Sequence, residues 1–268
     1  MNKNIAFLGG GNMAEAIIAG LVKSGQNLPK DIIVLDVNPV RRELLKKKYK
    51  VNVTDTSKTS IEGSGVVILA VKPQVIEGLL KETGRYFKPG QLVVSIAAGI
   101  TIGYIERFLK PGIPVVRTMP NTLLLCGAGA TAVSGGKYAE KQHIETVKKL
   151  FSVSGSVVKI PESKLNAVTA LSGSGPAYVF YLAELLKAAG IKMGLKDDIA
   201  DKLSRQTVYG AGKMLKERDS AASELRKNVT SPGGTTEAAL NYLFKKDFAG
   251  IFIEAVKQAE QRADELAR

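Results

Sequence analysis

Ile5-Ala6-Phe7-Leu8-Gly9-Gly10-Gly11-Asn12-Met13-Ala14 opens on four apolar residues, breaks on three glycines and resumes with residues that suit a helix. Four apolar residues in a row, with no polar alternation, read as a strand buried on both faces. Within the break, Gly9-x-Gly11-x-x-Ala14 has the spacing of a dinucleotide phosphate cradle. Its place between a strand and a helix gives that pattern weight. Gly9 suits the tight turn, Gly11 the close approach of a pyrophosphate, and Ala14 the tight packing of helix on strand. A phosphate would then sit on the helix N-terminus, over Asn12 and Met13.

Similar alternation runs through the first half of the chain. Runs rich in Ile, Val and Leu at 4–8, 32–35, 66–71, 92–96 and 114–118 alternate with helical spacing at Ala14–Ser24, Val40–Tyr49, Val75–Tyr86 and Ile102–Leu109. This order predicts βαβ units in an α/β, Rossmann-type doubly wound sheet. Runs at 129–133 and 156–160 are expected to add edge strands, with a helix over Ala139–Phe151 between them. After Pro161 no further strand is expected. Val179, Leu182, Ala183, Leu186 and Ala189 recur at helix spacing, as do Phe252, Val256, Ala259, Ala263 and Leu266. Asp197 and Asp247 are candidate N-caps. The expected division is a dinucleotide-binding Rossmann domain over 1–161 and an all-α C-terminal domain over 162–268. The second is apolar along several faces, and dimerisation through it is the natural way to cover them.

Composition sets the outer limits. The chain has 268 residues, 45% hydrophobic and 24% charged, which is ordinary for a soluble globular protein. No apolar run approaches the roughly 18 residues of a membrane span. Met1-Asn2-Lys3-Asn4 is too short for a leader before the first strand, so a cytoplasmic location is expected. Cys126 is the only cysteine and His143 the only histidine, which excludes an internal disulfide and zinc sites of the Cys/His kind; no metal is expected. Cys126 reads as a packing residue and His143 as a solvated helix residue. The net charge of +13 attracts anions. The lysines are scattered apart from Lys46-Lys47-Lys48 and are not interleaved with aromatics, so a solvated basic surface is expected and not a nucleic-acid site.

Two further stretches bear on ligands. Asp36 ends the second predicted strand, where an acidic residue binds the ribose 2′-hydroxyl of NAD. Asn38, Arg41 and Arg42 follow at once, and guanidinium groups grip a 2′-phosphate in bidentate fashion. The residues alone therefore leave NAD and NADP both open. Ser231-Pro232-Gly233-Gly234-Thr235-Thr236 is a second glycine-rich break, at a predicted helix start. Ser231, Gly233, Gly234, Thr235 and Thr236 there combine backbone N–H groups with hydroxyls, a combination that holds a small carboxylate.

Six stretches together resemble pyrroline-5-carboxylate reductase: FLGGGNMAEAI from Phe7, AVKPQ from Ala70, SIAAGI from Ser95, RTMPNT from Arg117, LSGSGPAYVF from Leu171 and VTSPGGTT from Val229. They span essentially the whole chain, in order. The chain departs from the family pattern at Leu123, where Pro is usual, and at Lys227-Asn228. The resemblance implies a Rossmann domain followed by a helical dimerisation domain. It further implies reduction of 1-pyrroline-5-carboxylate to L-proline with NADPH or NADH, with NADPH the commoner choice. By the same resemblance Ala70, Val71, Lys72, Pro73 and Asn121 lie near the nicotinamide. Ser231–Thr236 would hold the substrate carboxylate, Thr236 would bond the ring nitrogen, and Ser174-Gly175-Pro176 would be a break against which the ring packs.

The chemistry itself demands little. A protonated C=N bond is already a strong electrophile, so orientation and a proton on nitrogen suffice. Three other readings compete. One is a 3-hydroxyacid dehydrogenase of related architecture, with Lys164 and Asn166 as its nearest acid–amide pair. A second is a nucleotide sensor without a reaction. The third is a basic nucleic-acid binder. The surroundings of Lys164 and Asn166 do not complete a dehydrogenase site, and a sensor has no reason to keep the second glycine-rich break.

Overall fold

The computed structural model describes residues 4–267, so Met1–Lys3, part of the stretch judged too short for a leader, lie outside the described residues. The chain divides into two compact units. One holds the residues up to Ser174 together with the stretch from Ala259, and the other is Gly175–Gln258.

The first unit is built on an eight-stranded sheet in the order β3-β2-β1-β4-β5-β6-β7-β8. The strands are β1 (Ile5–Leu8), β2 (Ile32–Leu35), β3 (Asn52–Thr54), β4 (Val66–Leu69), β5 (Leu92–Ser95), β6 (Val115–Met119), β7 (Gly129–Gly135) and β8 (Gly155–Lys159). All pairs are parallel except β6 with β7. Its helices are α1 (Asn12–Lys23), α2 (Pro39–Tyr49), α3 (Ser57–Glu62), α4 (Pro73–Thr83), α5 (Ile102–Glu106), α6 (Lys141–Ser152) and α7 (Leu165–Val168).

Strand pleating explains the two layers of core. Successive side chains point to opposite faces. Ile5 and Phe7 join Ile18, Leu21, Leu45 and Phe151 on one side. Ala6 and Leu8 join Ile61, Ile76, Phe87 and Ile105 on the other. All residues of β1, β4 and β5 are buried, which is why these strands carry no polar alternation. β1 pairs with both β2 and β4, and the strand order reverses there, leaving a crevice at the carboxyl ends of β1 and β4.

Several expectations need correction. The short polar β3 and the single-turn α3 between α2 and β4 were not anticipated, because three residues cannot display a period. β7 is not an edge strand: it lies between β6 and β8, and only β8 ends the sheet on that side. A 3-10 turn over Thr122–Cys126 and Gly127 at φ 75° reverse the chain, which makes β7 antiparallel to β6. Cys126 lies on that turn and is exposed, not packed. His143 accepts from the Glu140 N–H at 2.9 Å and so helps cap α6.

The chain beyond Pro161 stays with the sheet unit as far as Ser174. Glu162 accepts from the Ile102 N–H at 2.7 Å and from Arg117 at 3.1 Å. Leu165 is fully buried, and Asn166 donates to Asp264 at 2.7 Å. A π-helical segment over Thr169–Gly173 follows α7.

The second unit is helical: α8 (Gly175–Lys192), α9 (Asp197–Glu217), α10 (Ala222–Asn228), α11 (Thr235–Lys245) and the first part of α12 (Phe248–Leu266). Asp247 takes φ 50° and its carboxylate accepts from the Gly250 N–H at 3.2 Å, so it caps α12 as expected. Asp197 begins α9 one residue inside the N-cap Lys196, and instead pairs with Lys187 at 2.9 Å. Among the described residues of this unit only Pro176, Gly190, Ala200 and Ser204 are buried. Phe180, Tyr181 and Leu182 on α8 are 57%, 60% and 47% exposed, far more than apolar side chains of a finished core. Tyr178, Leu182, Leu185, Phe248, Ile251 and Phe252 line an almost wholly apolar cleft of about 660 Å³. No helix among the described residues is long and apolar enough to cross a membrane.

Candidate functional site

The crevice begins at Gly9, which follows β1 with φ 105°. A Cβ there would lie 2.6 Å from the carbonyl oxygen of Ala70, the residue that follows β4. The two strand ends are tied together at this level, with the Ala70 N–H donating to Leu8 O at 2.8 Å. Glycine is therefore required at residue 9 for both its dihedral and its neighbour. Gly10 is also confined, between Leu45 and the Asp36 carboxylate. Gly11 differs. It is the exposed N-cap of α1, and nothing lies within 4 Å of where its Cβ would be. That open space stands before the first turn of α1, whose leading N–H groups have no partner within the helix. Ala14 is fully buried against the sheet, the role expected of it. Gly9, Gly11, Asn12, Met13 and Ala14 thus form a cradle that fits a dinucleotide pyrophosphate.

Asp36 follows β2 beside this loop. One carboxylate oxygen accepts from the Gly10 N–H and the other from the Asn38 N–H, each at 2.8 Å. The two arginines that follow, Arg41 and Arg42, both have partners within the protein. The Arg41 guanidinium bonds Gly10 O and pairs with Glu15 at 2.5 Å. Arg42 donates to Asp36 O at 2.6 Å and meets Asp55 at 3.4 Å. The Asn38 side chain accepts from the N–H groups of Val40 and Arg41 as the cap of α2, so its carbonyl oxygen is used within the protein.

Glu15, which the sequence did not single out, organises this region. Burial pushes its pKa up, but hydrogen bonds from Lys48, Tyr49 and Arg41 and the Arg41 charge outweigh that and hold it at about 2. No period could have pointed to it, since its partners lie on α2, 26 to 34 residues away.

Ala70 and Val71 lie on the β4 side of the crevice, with Val71 beside Gly9. Lys72 is exposed, with the extended backbone that a residue before proline prefers, and Pro73 opens α4. Asn121 follows the carboxyl end of β6. It is buried, and its side chain donates to Ser172 O at 3.0 Å and accepts from the Ala130 N–H at 3.1 Å. It braces β6, β7 and the 169–173 segment. The Ser174 N–H closes the wide turn on Thr169 O at 2.8 Å, and Gly175 starts α8 with open space at its Cβ position. Lys164 lies in a 3-10 turn and Asn166 is engaged by Asp264, so this pair builds no acid–amide site.

In the helical unit the second glycine break forms a tight turn. Gly233 takes φ 68°, its N–H donates to Glu237 at 2.8 Å, and the Gly234 N–H donates to Ser231 O at 3.0 Å. The amides of Gly233 and Gly234 are thus satisfied inside the loop. Helical bonding starts with Ala238 N–H to Gly234 O, so the amides of Thr235 and Thr236 precede the ladder. Thr236 is half-buried and Ser231 exposed. Glu237 was missed, although its place three residues after the N-cap Gly234 is that of a capping-box glutamate.

Comparison with known proteins covers the whole chain. Residues 162–266 match the family model for pyrroline-5-carboxylate reductase dimerisation. Residues 4–99 match that for NADP oxidoreductase, coenzyme F420-dependent. Pyrroline-5-carboxylate reductase of Synechocystis sp. is 40% identical, with all of both chains covered. The Bacillus subtilis protein named pyrroline-5-carboxylate reductase 1 is 37% identical over 99% of this chain and 90% of its own. Among solved structures, a pyrroline-5-carboxylate reductase from Coxiella burnetii superposes with a TM-score of 0.94 at 36% identity, covering all of both chains. Pyrroline carboxylate reductase of Plasmodium falciparum with NADP bound gives 0.87 at 28% identity, over 100% of this chain and 99% of its own.

Proposed function

This chain belongs to the pyrroline-5-carboxylate reductase family, and on that premise we propose how its own residues carry the reaction. It reduces 1-pyrroline-5-carboxylate to L-proline with NAD(P)H, the last step of proline biosynthesis. Bound NAD(P)H supplies the hydride that the imine carbon receives. Gly9, Gly11, Asn12, Met13 and Ala14 hold the pyrophosphate on the N-terminus of α1, and Asp36 faces the adenine-side ribose. Ala70, Val71, Lys72, Pro73 and Asn121 flank the nicotinamide end. Ser174 and Gly175 form the surface on which the substrate ring rests.

The substrate carboxylate is held by the amides of Thr235 and Thr236, while Ser231, Gly233 and Gly234 shape the turn that presents them. Hydrogen bonds to a charged group contribute about 1.5–3 kcal/mol each, enough to fix one pose of a small ring. The Thr236 hydroxyl keeps the proton at the ring nitrogen, which sustains the electrophile as hydride arrives. The observation that carries this reading is the start of α11, a second helix N-terminus opened by glycines in a chain that already has a dinucleotide cradle. Residues 162–268 act as the substrate-binding and dimerisation domain.

The chain self-associates and takes a small-molecule substrate. We assign the contact between copies to the exposed apolar faces of α8 and α12, forming a homodimer or a multiple of it. The basic charge serves anionic ligands, not nucleic acid, and the site of action is the cytoplasm. Consumption of reduced nicotinamide with pyrroline-5-carboxylate, set against a panel of hydroxyacids run in reverse, tests the assignment. Turnover with the imine alone supports it. Turnover with a 3-hydroxyacid and none with the imine replaces it with the dehydrogenase reading.

A further inference from the structure

We propose that this chain selects NADH over NADPH, and that Asp36 makes the selection by holding a carboxylate where the 2′-phosphate would have to sit. The proposal rests on the reading of Gly9–Ala14 as the dinucleotide cradle.

Asp36 stands directly after β2, next to the β1–α1 turn, which is the ribose end of a cofactor lying across this crevice. Its carboxylate is locked in place by the N–H groups of Gly10 and Asn38, one on each oxygen. Turning it away from a ligand would break two bonds and leave the amide of the buried Gly10 without its acceptor. An ionised carboxylate only accepts hydrogen bonds, so it suits a 2′-hydroxyl, which donates. A 2′-phosphate brings acceptor oxygens and negative charge, and meets both kinds of mismatch at once.

A nearby cation could reverse this preference, and the sequence supplies two. The structure removes both. Arg41 is engaged with the Gly10 carbonyl on one edge and the Glu15 carboxylate on the other. Glu15 remains ionised through the neutral range, so its hold on Arg41 does not relax there. Arg42 turns back onto the carbonyls of Asp36 and Val37 and toward Asp55. Arg42 thus braces the turn that presents Asp36, and Arg41 ties α2 to the Gly10 loop beside it. The overall charge of +13 attracts either nucleotide. At physiological ionic strength that field is screened beyond about 8 Å, so it does not replace a cation at the 2′ position.

Equilibrium titration of the full chain with NADH and with NADPH, at one pH and ionic strength and read by nucleotide fluorescence, tests the proposal. The wild type should bind NADH at least about tenfold more tightly, a difference of about 1.4 kcal/mol. Asp36→Asn keeps the shape and removes the charge, and should narrow the gap to about threefold or less, chiefly by tightening NADPH. Asp36→Ser is the second variant, should the asparagine amide disturb the Gly10 contact. Equal or tighter binding of NADPH by the wild type overturns the proposal without reference to any variant. So does an unchanged ratio in a variant that still binds NADH. Failure of the cradle reading looks different: neither nucleotide then binds, and pyrroline-5-carboxylate is reduced with neither.

Discussion

Glu15 lies on α1, Arg41, Lys48 and Tyr49 on α2, and the four groups clamp the helices that flank the cradle. The folded pKa of Glu15, at about 2, lies below its ordinary 4.5. A depressed carboxylate stabilises the fold above its unfolded pKa and loses that contribution as pH falls through the folded value. Wild-type stability should therefore contain a component present above about pH 4.5 and lost by about pH 2. Glu15→Gln should lower stability at neutral pH by about 1–2 kcal/mol, a figure held down because Lys48 is exposed. The gap to wild type should close across that acid window, as urea unfolding at several pH values would reveal. Thr236 offers the second test at this scale. If its hydroxyl handles the imine proton, Thr236→Ala lowers kcat by roughly 10²-fold with KM little changed. An unchanged kcat would leave Thr236 as a carboxylate-positioning residue. Thr236 could be named from its string of neighbours, and Glu237 from its capping-box spacing, but Glu15 could not, because its partners are set by helix packing.

The element that most constrains the cofactor is the turn between β1 and α1, and its glycines separate two kinds of constraint. Gly9→Ala meets the Ala70 carbonyl and a disfavoured dihedral, and should cost about 1–3 kcal/mol with a matching fall in Tm. Gly11→Ala meets no protein atom and has an ordinary negative φ. It should leave Tm nearly unchanged while its methyl group, standing before the first turn of α1, weakens nucleotide binding at least tenfold. Thermal melts and nucleotide titration of the two variants check this contrast. The strands that line the turn were legible because β1, β4 and β5 are buried on both faces and carry unbroken apolar runs. β3, with one exposed and two half-buried residues, has no such run, and the place of β7 inside the sheet depends on a chain reversal that its own residues do not encode.

For the molecule as a whole, the helical unit exposes too much apolar surface to stand alone in water. Leu182, Leu185, Ile251 and Phe252 line one open cleft, and Phe180 and Tyr181 are more than half exposed. Burial contributes roughly 25 cal/mol per Å² of apolar surface removed from water, which favours a second copy over solvent. Leu182→Lys should shift the protein to a smaller species in analytical ultracentrifugation and lower its activity in step, with the melting of the Rossmann unit little affected. A variant that stays associated and fully active would show that α8 is not the contact. By itself the sequence determined the alternation of strand and helix, the cradle turn and the second glycine break, because burial period and glycine's dihedral freedom are local properties. Only the tertiary structure decided that Arg42 braces Asp36 and Arg41 the Gly10 loop, that Asn121 is a brace, and that the Gly233 and Gly234 amides are already taken. Those outcomes depend on which hydrogen-bonding partner lies nearest in space, and residues far apart along the chain compete for that place.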